Sequence, residues 1–139
     1  MSARVFLDTN VLAYLLDAAE PKKQARARRV LETELADLEL VVSTQVLQEL
    51  YVCLTRGRAP IATPEVAERA VRDAAAFTVI QVDVPLVLSA IAESQRSQLS
   101  FWDALVVRAA VSAGCTRLLT EDLSHGQVFD GVRVENPFR

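Results

Sequence analysis

The fold of this chain is decided near its start by the stretch Val5-Phe6-Leu7-Asp8-Thr9-Asn10-Val11-Leu12. Its first three residues form a short apolar run of the kind that fills a buried strand, and Asp8 ends that run. Apolar residues then recur at helical spacing, at Val11, Leu12, Leu15 and Leu16. The stretch therefore predicts a strand, a turn and a helix in immediate succession.

The same alternation of short apolar runs and helical patterns continues through the 139 residues. Further strands are predicted at residues 40–42, 78–82, 117–120 and 132–134. Further helices are predicted at residues 21–38, 44–54, 64–77, 85–92 and 100–114. Strands that alternate with helices in this way imply a mostly parallel sheet. We therefore expect one α/β domain over residues 1–139, with a central sheet of four to five strands flanked by helices on both faces.

The composition excludes several classes of function. Fifteen Lys and Arg against eighteen Asp and Glu give a net charge of −3, so the chain does not hold nucleic acid by bulk charge. Its four glycines lack the spacing of a phosphate-binding loop or a dinucleotide-binding turn. The single histidine, His125, excludes a zinc site of the H-E-x-x-H type. Any chemistry must therefore come from carboxylates.

The two cysteines and the apolar stretches indicate the cellular compartment in which the protein is expected. Cys53 and Cys115 lie apart in apolar surroundings, which is typical of buried reduced thiols. The N-terminal apolar run is interrupted by Asp8 and Asn10, unlike the core of a signal peptide. The apolar run at residues 104–111 is too short to cross a bilayer. We therefore expect a cytoplasmic protein with no membrane partner.

Four acids fall where an α/β sheet binds its ligands, beyond the carboxyl ends of the strands or at helix starts. Asp8 and Asp122 follow predicted strands, Glu49 lies at the rim of an apolar helix face, and Asp103 opens a buried helix. Each has a simpler explanation. Asp8 and Asp122 suit turns or helix caps, Glu49 suits solvent, and Asp103 suits a capping box with Ser100.

The combination of the four acids favours a functional explanation over these separate ones. Four carboxylates around one crevice repel one another unless a cation lies between them. Oxygen ligands without histidine or cysteine select a hard ion, Mg²⁺ or Mn²⁺. The sequence therefore predicts a divalent metal site, and clustered carboxylates with Mg²⁺ usually serve phosphate chemistry.

Four motifs in fixed order contain these acids: Asp8-Thr9-Asn10-Val11-Leu12, Gln48-Glu49-Leu50, Ser100-Phe101-Trp102-Asp103-Ala104-Leu105 and Leu118-Leu119-Thr120-Glu121-Asp122. In order and spacing, the set resembles the PIN-domain ribonucleases. The similarity is greatest to the VapC-type toxins of bacterial toxin–antitoxin pairs, which are single domains of about this length. The resemblance therefore covers essentially the whole chain.

This resemblance implies an endoribonuclease that depends on Mg²⁺ or Mn²⁺. It assigns catalysis and metal binding to Asp8, Glu49, Asp103 and Asp122, with Asn10 and Thr120 orienting those ligands. Glu121 is adjacent to the fourth acid and competes for its role, but the Thr-x-acid spacing selects Asp122. The resemblance also implies a toxin whose partners are an RNA substrate and an antitoxin protein, in homodimers and toxin–antitoxin hetero-oligomers.

The residues that would contact RNA are less sharply indicated. A polyanion approaching an acidic pocket needs cations at the rim, and the candidates are Lys22, Lys23, Arg26, Arg56 and Arg58. A solubilising surface explains the same charges. The aromatic side chains of Tyr14, Tyr51 and Trp102 suit either the core or base stacking.

Two other functions compete with the nuclease. A PIN-like fold that has lost catalysis and serves as an RNA-binding or protein-interaction module would be expected to lack one of the acids, and none is missing. The aspartyl-phosphate enzymes also place an aspartate after the first strand, but they need a lysine after a late strand. The only lysines here are Lys22 and Lys23.

Overall fold

The structure, a computed structural model, describes residues 3–139. Its strands are β1 (Arg4–Leu7), β2 (Glu39–Ser43), β3 (Thr78–Ile80), β4 (Arg117–Leu119), β5 (Val128–Phe129) and β6 (Val132–Glu135). They form one sheet in the order β3-β2-β1-β4-β6-β5, in which every neighbouring pair is parallel except β5 and β6. The mostly parallel sheet is confirmed, with six strands in place of the four to five predicted.

The extra strand is β5, which forms a hairpin with β6. Only two residues long, β5 is too short to show a periodic pattern. The connecting Asp130 and Gly131 have φ of 46° and 87°. An Asp-Gly pair at positive φ is the preferred two-residue hairpin turn, and this signal in the sequence could have revealed the strand.

Six α-helices connect the strands: α1 (Thr9–Tyr14), α2 (Pro21–Arg29), α3 (Thr44–Thr55), α4 (Pro64–Ala74), α5 (Val84–Ser97) and α6 (Phe101–Ser112). A π-helical segment, Val30–Glu34, continues α2. Most helices begin where the sequence predicts because side chains cap them. The hydroxyls of Ser43 and Thr63 accept hydrogen bonds from backbone N–H groups of the first turn. Helix α4 ends at Ala74 and β3 at Ile80, a few residues before their predicted ends.

Both faces of the sheet are covered, as the sequence predicts. Successive residues of a strand point to opposite faces, and Val5, Phe6 and Leu7 of β1 are all fully buried. Helix α6 packs against β2 and β4 and buries most of its length. None of the helices in residues 3–139 combines the length and apolar character needed to cross a membrane.

An ion-pair network around the buried Glu93 fastens α5 to α6. Glu93 on α5 is 2% exposed and lies 2.8 Å from Arg96 and 3.2 Å from Arg108. Burial raises the pKa of Glu93, but hydrogen bonds from Ser97, Arg96 and Arg108 outweigh this effect and lower it. Arg108 also lies 2.6 Å from Asp130, so the network extends to the turn between β5 and β6.

Candidate active site

A cavity of about 750 Å³ opens beside the carboxyl ends of β1 and β4. Three of the four predicted acids line it: Asp8, Glu49 and Asp122. The fourth, Asp103, directly follows Trp102, which also lines the cavity. Parallel strands bring their carboxyl ends to one edge of the sheet, so residues more than a hundred positions apart in the chain meet there.

Asp8 is the most buried acid of the site, at 5% exposure. Its Oδ1 accepts a hydrogen bond of 2.8 Å from the Thr9 N–H, so it caps α1, as the simpler explanation expected. Its Oδ2 accepts one of 2.7 Å from the Thr120 hydroxyl. Burial nevertheless raises the pKa of Asp8 to about 6, and the charges of Asp122 and Glu49 add to the rise. The charged form of Asp8 therefore lacks sufficient stabilisation within the chain.

Thr120 joins the ends of β1 and β4 through a single hydroxyl. The side chain is fully buried, and its Oγ1 donates to Asp8. The same Oγ1 accepts from the Asp122 N–H at 3.0 Å and from Asn10 Nδ2 at 3.4 Å. Asn10 Nδ2 also donates to Asp122 Oδ2 at 3.1 Å. A hydroxyl has one donor and two acceptor positions, so all of them are used.

Glu49 projects from α3 and is held by two residues that sequence reasoning missed. The Thr9 hydroxyl donates to its Oε2 at 3.2 Å, and Gln45 Nε2 donates to its Oε1 at 3.2 Å. Gln45 is buried and also donates to the backbone carbonyl of Trp102 at 3.2 Å, which ties α3 to the start of α6. Their places in the sequence could have indicated both residues as part of the site, because Thr9 follows Asp8 and Gln45 lies one helical turn before Glu49.

Asp103 is half-buried in the first turn of α6. Its N–H donates to the Ser100 hydroxyl at 3.1 Å, which is one half of the capping box considered from the sequence. Its carboxylate forms no hydrogen bond or ion pair with any residue in 3–139. Burial raises the pKa of Asp122, and the negative charge of Asp103 raises it further.

The neighbouring acids Glu121 and Asp122 have different surroundings. The Tyr14 hydroxyl donates to Glu121 at 2.6 Å, and the Lys23 ammonium lies 3.0 Å from it. Burial, followed by this hydrogen bond to Glu121, raises the pKa of Tyr14, whose ring packs edge-on against Phe138 at 4.9 Å. Glu121 therefore has a cationic partner, whereas within residues 3–139 the carboxylate of Asp122 is bonded to the neutral Asn10 alone.

The four predicted acids form no ion pairs with basic side chains of residues 3–139. Within residues 3–139, no Lys, Arg or His forms an ion pair with Asp8, Glu49, Asp103 or Asp122. In the same range, no three acid, histidine or cysteine side chains are close enough, as oriented here, to ligate one ion. The donor set itself consists of carboxylate, hydroxyl and amide oxygens, which suits Mg²⁺ or Mn²⁺. The chemistry of these donors therefore fits such an ion, although their carboxylates do not converge on one point in this structure.

The predicted RNA-binding cations lie in different places. Arg56 is exposed and lines the cavity, while Arg58 and Lys22 are exposed outside its lining. Lys23 is paired with Glu121. Arg26 donates to the Pro137 carbonyl at 2.8 Å and pairs with Glu34. Arg56 is therefore the cation best placed to meet a ligand of the cavity.

Fold and site together define a single-domain α/β protein with an acidic cavity at the carboxyl edge of its sheet. The model of the PIN domain family matches residues 5–128. The chain therefore belongs to the PIN domain family. No curated protein matches it.

Solved structures with the same fold include toxins from bacteria. A toxin–antitoxin complex from Klebsiella pneumoniae has a TM-score of 0.68 at 18% identity, covering 96% of this chain and 97% of that one. FitAcB from Neisseria gonorrhoeae has a TM-score of 0.69 at 16% identity, covering 96% and 98%. VapC20 from Mycobacterium tuberculosis, a toxin that cleaves the sarcin–ricin loop, has a TM-score of 0.59 at 22% identity, covering 82% and 86%. At these identities the similarity shows the fold.

Proposed function

We propose that this protein is a Mg²⁺- or Mn²⁺-dependent endoribonuclease that acts as the toxin of a toxin–antitoxin pair. One observation supports it above the others: Asp8, Glu49 and Asp122 line one cavity, Asp103 directly follows the cavity residue Trp102, and none of the four has an ion-pair partner within residues 3–139. Burying Asp8 in such a place costs free energy, since burial raises its pKa to about 6. A bound cation would offset this cost by stabilising the charged form of Asp8.

Each residue of the site has a role in this proposal. Asp8 and Asp103 are the principal ligands of the ion, and Glu49 and Asp122 complete its surroundings directly or through water. When bound, the ion supplies an activated water and stabilises the negative charge that builds up on the phosphate. Thr120 and Asn10 keep Asp8 and Asp122 in register, and Thr9 and Gln45 do the same for Glu49.

The toxin part of the proposal comes from the similar structures. The structure from Klebsiella pneumoniae is a toxin–antitoxin complex, and VapC20 is a toxin that cleaves the sarcin–ricin loop. We infer an antitoxin that covers the acidic cavity and presents a cation, such as an arginine, to its unpaired carboxylates. A homodimer and a hetero-oligomer with that antitoxin follow from the same inference, as does a cytoplasmic location where RNA is available. The proposed domain comprises residues 1–139.

A PIN domain without catalysis, serving only to bind RNA or protein, is the alternative. It predicts no metal site that depends on the carboxylates. The arrangement around Thr120 argues against it, because a binding module has no need to hold Asp8 and Asp122 on one buried hydroxyl.

Cleavage of total bacterial RNA by the purified protein, freed of any bound partner, tests the proposal. With Mg²⁺ or Mn²⁺ we expect discrete fragments, and none with EDTA. Asp8→Asn and Asp103→Asn should each abolish cleavage and leave the fold intact, while Asp37→Asn, an exposed acid outside the site, should cleave like the wild type. Full cleavage by either site variant would refute the assignment.

A further inference from the structure

Trp102 is unusually exposed for a residue of α6. It is the only tryptophan of the chain and is 61% exposed, although the rest of α6 is largely buried. A single exposed apolar side chain is ordinary on its own. This one lines the cavity of the acids and directly precedes Asp103. The Phe101 ring packs edge-to-face against the indole at 5.1 Å and 78°, which restrains it.

The cavity that Trp102 lines has an apolar part in addition to its acids. Val52, Cys53 and Ile61 belong to its lining, and Arg56 is the only lysine or arginine there. Arg56 directly follows the last residue of α3, seven residues beyond Glu49, which corresponds to roughly 10 Å along the helix axis. Glu49 and Arg56 therefore lie at different places along the cavity, and Arg56 has apolar neighbours.

An exposed indole near the acids, and an apolar surface with a cation farther along α3, match the chemistry of single-stranded RNA that extends over several nucleotides. Bases that leave the RNA stack recover stacking energy on aromatic faces, and arginine binds the phosphate. We propose that Trp102 is a stacking platform for a nucleobase of single-stranded RNA next to the bond that is cleaved. This inference rests on the proposed function and adds a base-binding subsite to it.

The way Trp102 is held leaves its side chain available for a base. Gln45, which positions Glu49, bonds the backbone carbonyl of Trp102 and not the indole. Changing the Trp102 side chain therefore retains the contact that ties α3 to α6. The stacking role can be tested separately from the positioning of the acids.

The intrinsic fluorescence of the single tryptophan reports on this subsite directly. The probes are poly(A), poly(U) and an abasic polymer with the same phosphate backbone, titrated into the non-cleaving Asp8→Asn variant. We expect fluorescence quenching by the polymers that have bases and none by the abasic polymer. Trp102→Ala in the same background should bind poly(A) roughly tenfold or more weakly, and Trp102→Phe should recover most of the loss. Leu88→Ala, which changes an equally exposed side chain on α5, should bind normally.

Kinetics of the cleaving enzyme give a second readout. With Asp8 intact, Trp102→Ala should raise KM by about tenfold and change kcat little, because stacking binds substrate and transition state alike. Polymer binding with unchanged fluorescence and equal affinity of Trp102→Ala would overturn the stacking proposal. Fluorescence that responds only to dilution of the protein would also overturn it, by indicating that a second copy covers the indole. Cleavage of total RNA by the wild type tests the nuclease proposal independently of the binding and fluorescence results.

Discussion

Removing the Thr120 hydroxyl tests the geometry of the site at its centre. Thr120→Val keeps the shape of a fully buried side chain and deletes three hydrogen bonds, to Asp8, Asp122 and Asn10. The bond to the buried Asp8 carboxylate dominates, since a hydrogen bond to a charged group contributes about 1.5–3 kcal/mol. We expect the free energy of unfolding at neutral pH to fall by about 2–3 kcal/mol.

The pH dependence distinguishes this effect from a simple packing defect. The Thr120 hydroxyl favours the charged form of Asp8, whose pKa is about 6. Its contribution is therefore present above that pH and is lost as the pH falls and the carboxylate becomes protonated. Urea denaturation in EDTA from pH 4 to 8 should show the deficit of Thr120→Val shrinking in acid.

Thr120→Ser is the matched control because it retains the hydroxyl and loses one methyl group. It should cost about 1 kcal/mol at every pH and keep most of the cleavage activity. Thr120→Val should lose most of its activity, since Asp8, Asp122 and Asn10 each lose a hydrogen bond that positions them. A Thr120→Val protein within about 0.5 kcal/mol of the wild type, with no pH dependence, would refute the role given to this hydroxyl.

Two further predictions concern other parts of the surface and core. Neutralising Arg56 and Arg58 together to Gln should reduce the slope of log affinity for RNA against log salt by up to about 1.4, and an unchanged slope would exclude them as phosphate contacts. Arg108→Met leaves the buried Glu93 with Arg96 as its remaining cationic partner and should cost about 3 kcal/mol in chemical denaturation. Arg72, which forms an exposed ion pair, provides the control. Arg72→Met should lower the free energy of unfolding by less than about 0.5 kcal/mol.

The parts of the fold that follow from local chemistry could be predicted from the sequence. The apolar run before Asp8, the caps at Ser43 and Thr63, and the prolines in first turns mark strands and helices within a few residues. Parallel pairing then follows from the alternation of strands with helices. The ends of β3 and α4 were missed because the last residues of an element depend on their tertiary neighbours, and β5 was missed because two residues show no periodic pattern and the Asp-Gly turn was not considered.

The sequence allowed us to predict that Asp8 and Asp122 lie close together. It did not allow us to predict which partners the individual residues of the site contact. Strand ends in a parallel sheet bring Asp8 and Asp122 together whatever the loops do. The pairing of Lys23 with Glu121 depends on tertiary contacts across about a hundred residues, which no local pattern reveals. The same holds for Trp102, whose exposure is decided by the packing of α6 and not by its own hydrophobicity.

Calorimetric titration of Mn²⁺ into the metal-free protein tests the central claim most directly, namely that acids from separate elements form one metal centre. The wild type and Asp37→Asn should bind Mn²⁺ with equal affinity. Asp8→Asn, at the end of β1, and Asp103→Asn, at the start of α6, should each weaken binding by about tenfold or more. A wild-type protein that binds no Mn²⁺, or site variants that bind it as tightly as Asp37→Asn, would contradict the claim and favour the non-catalytic module.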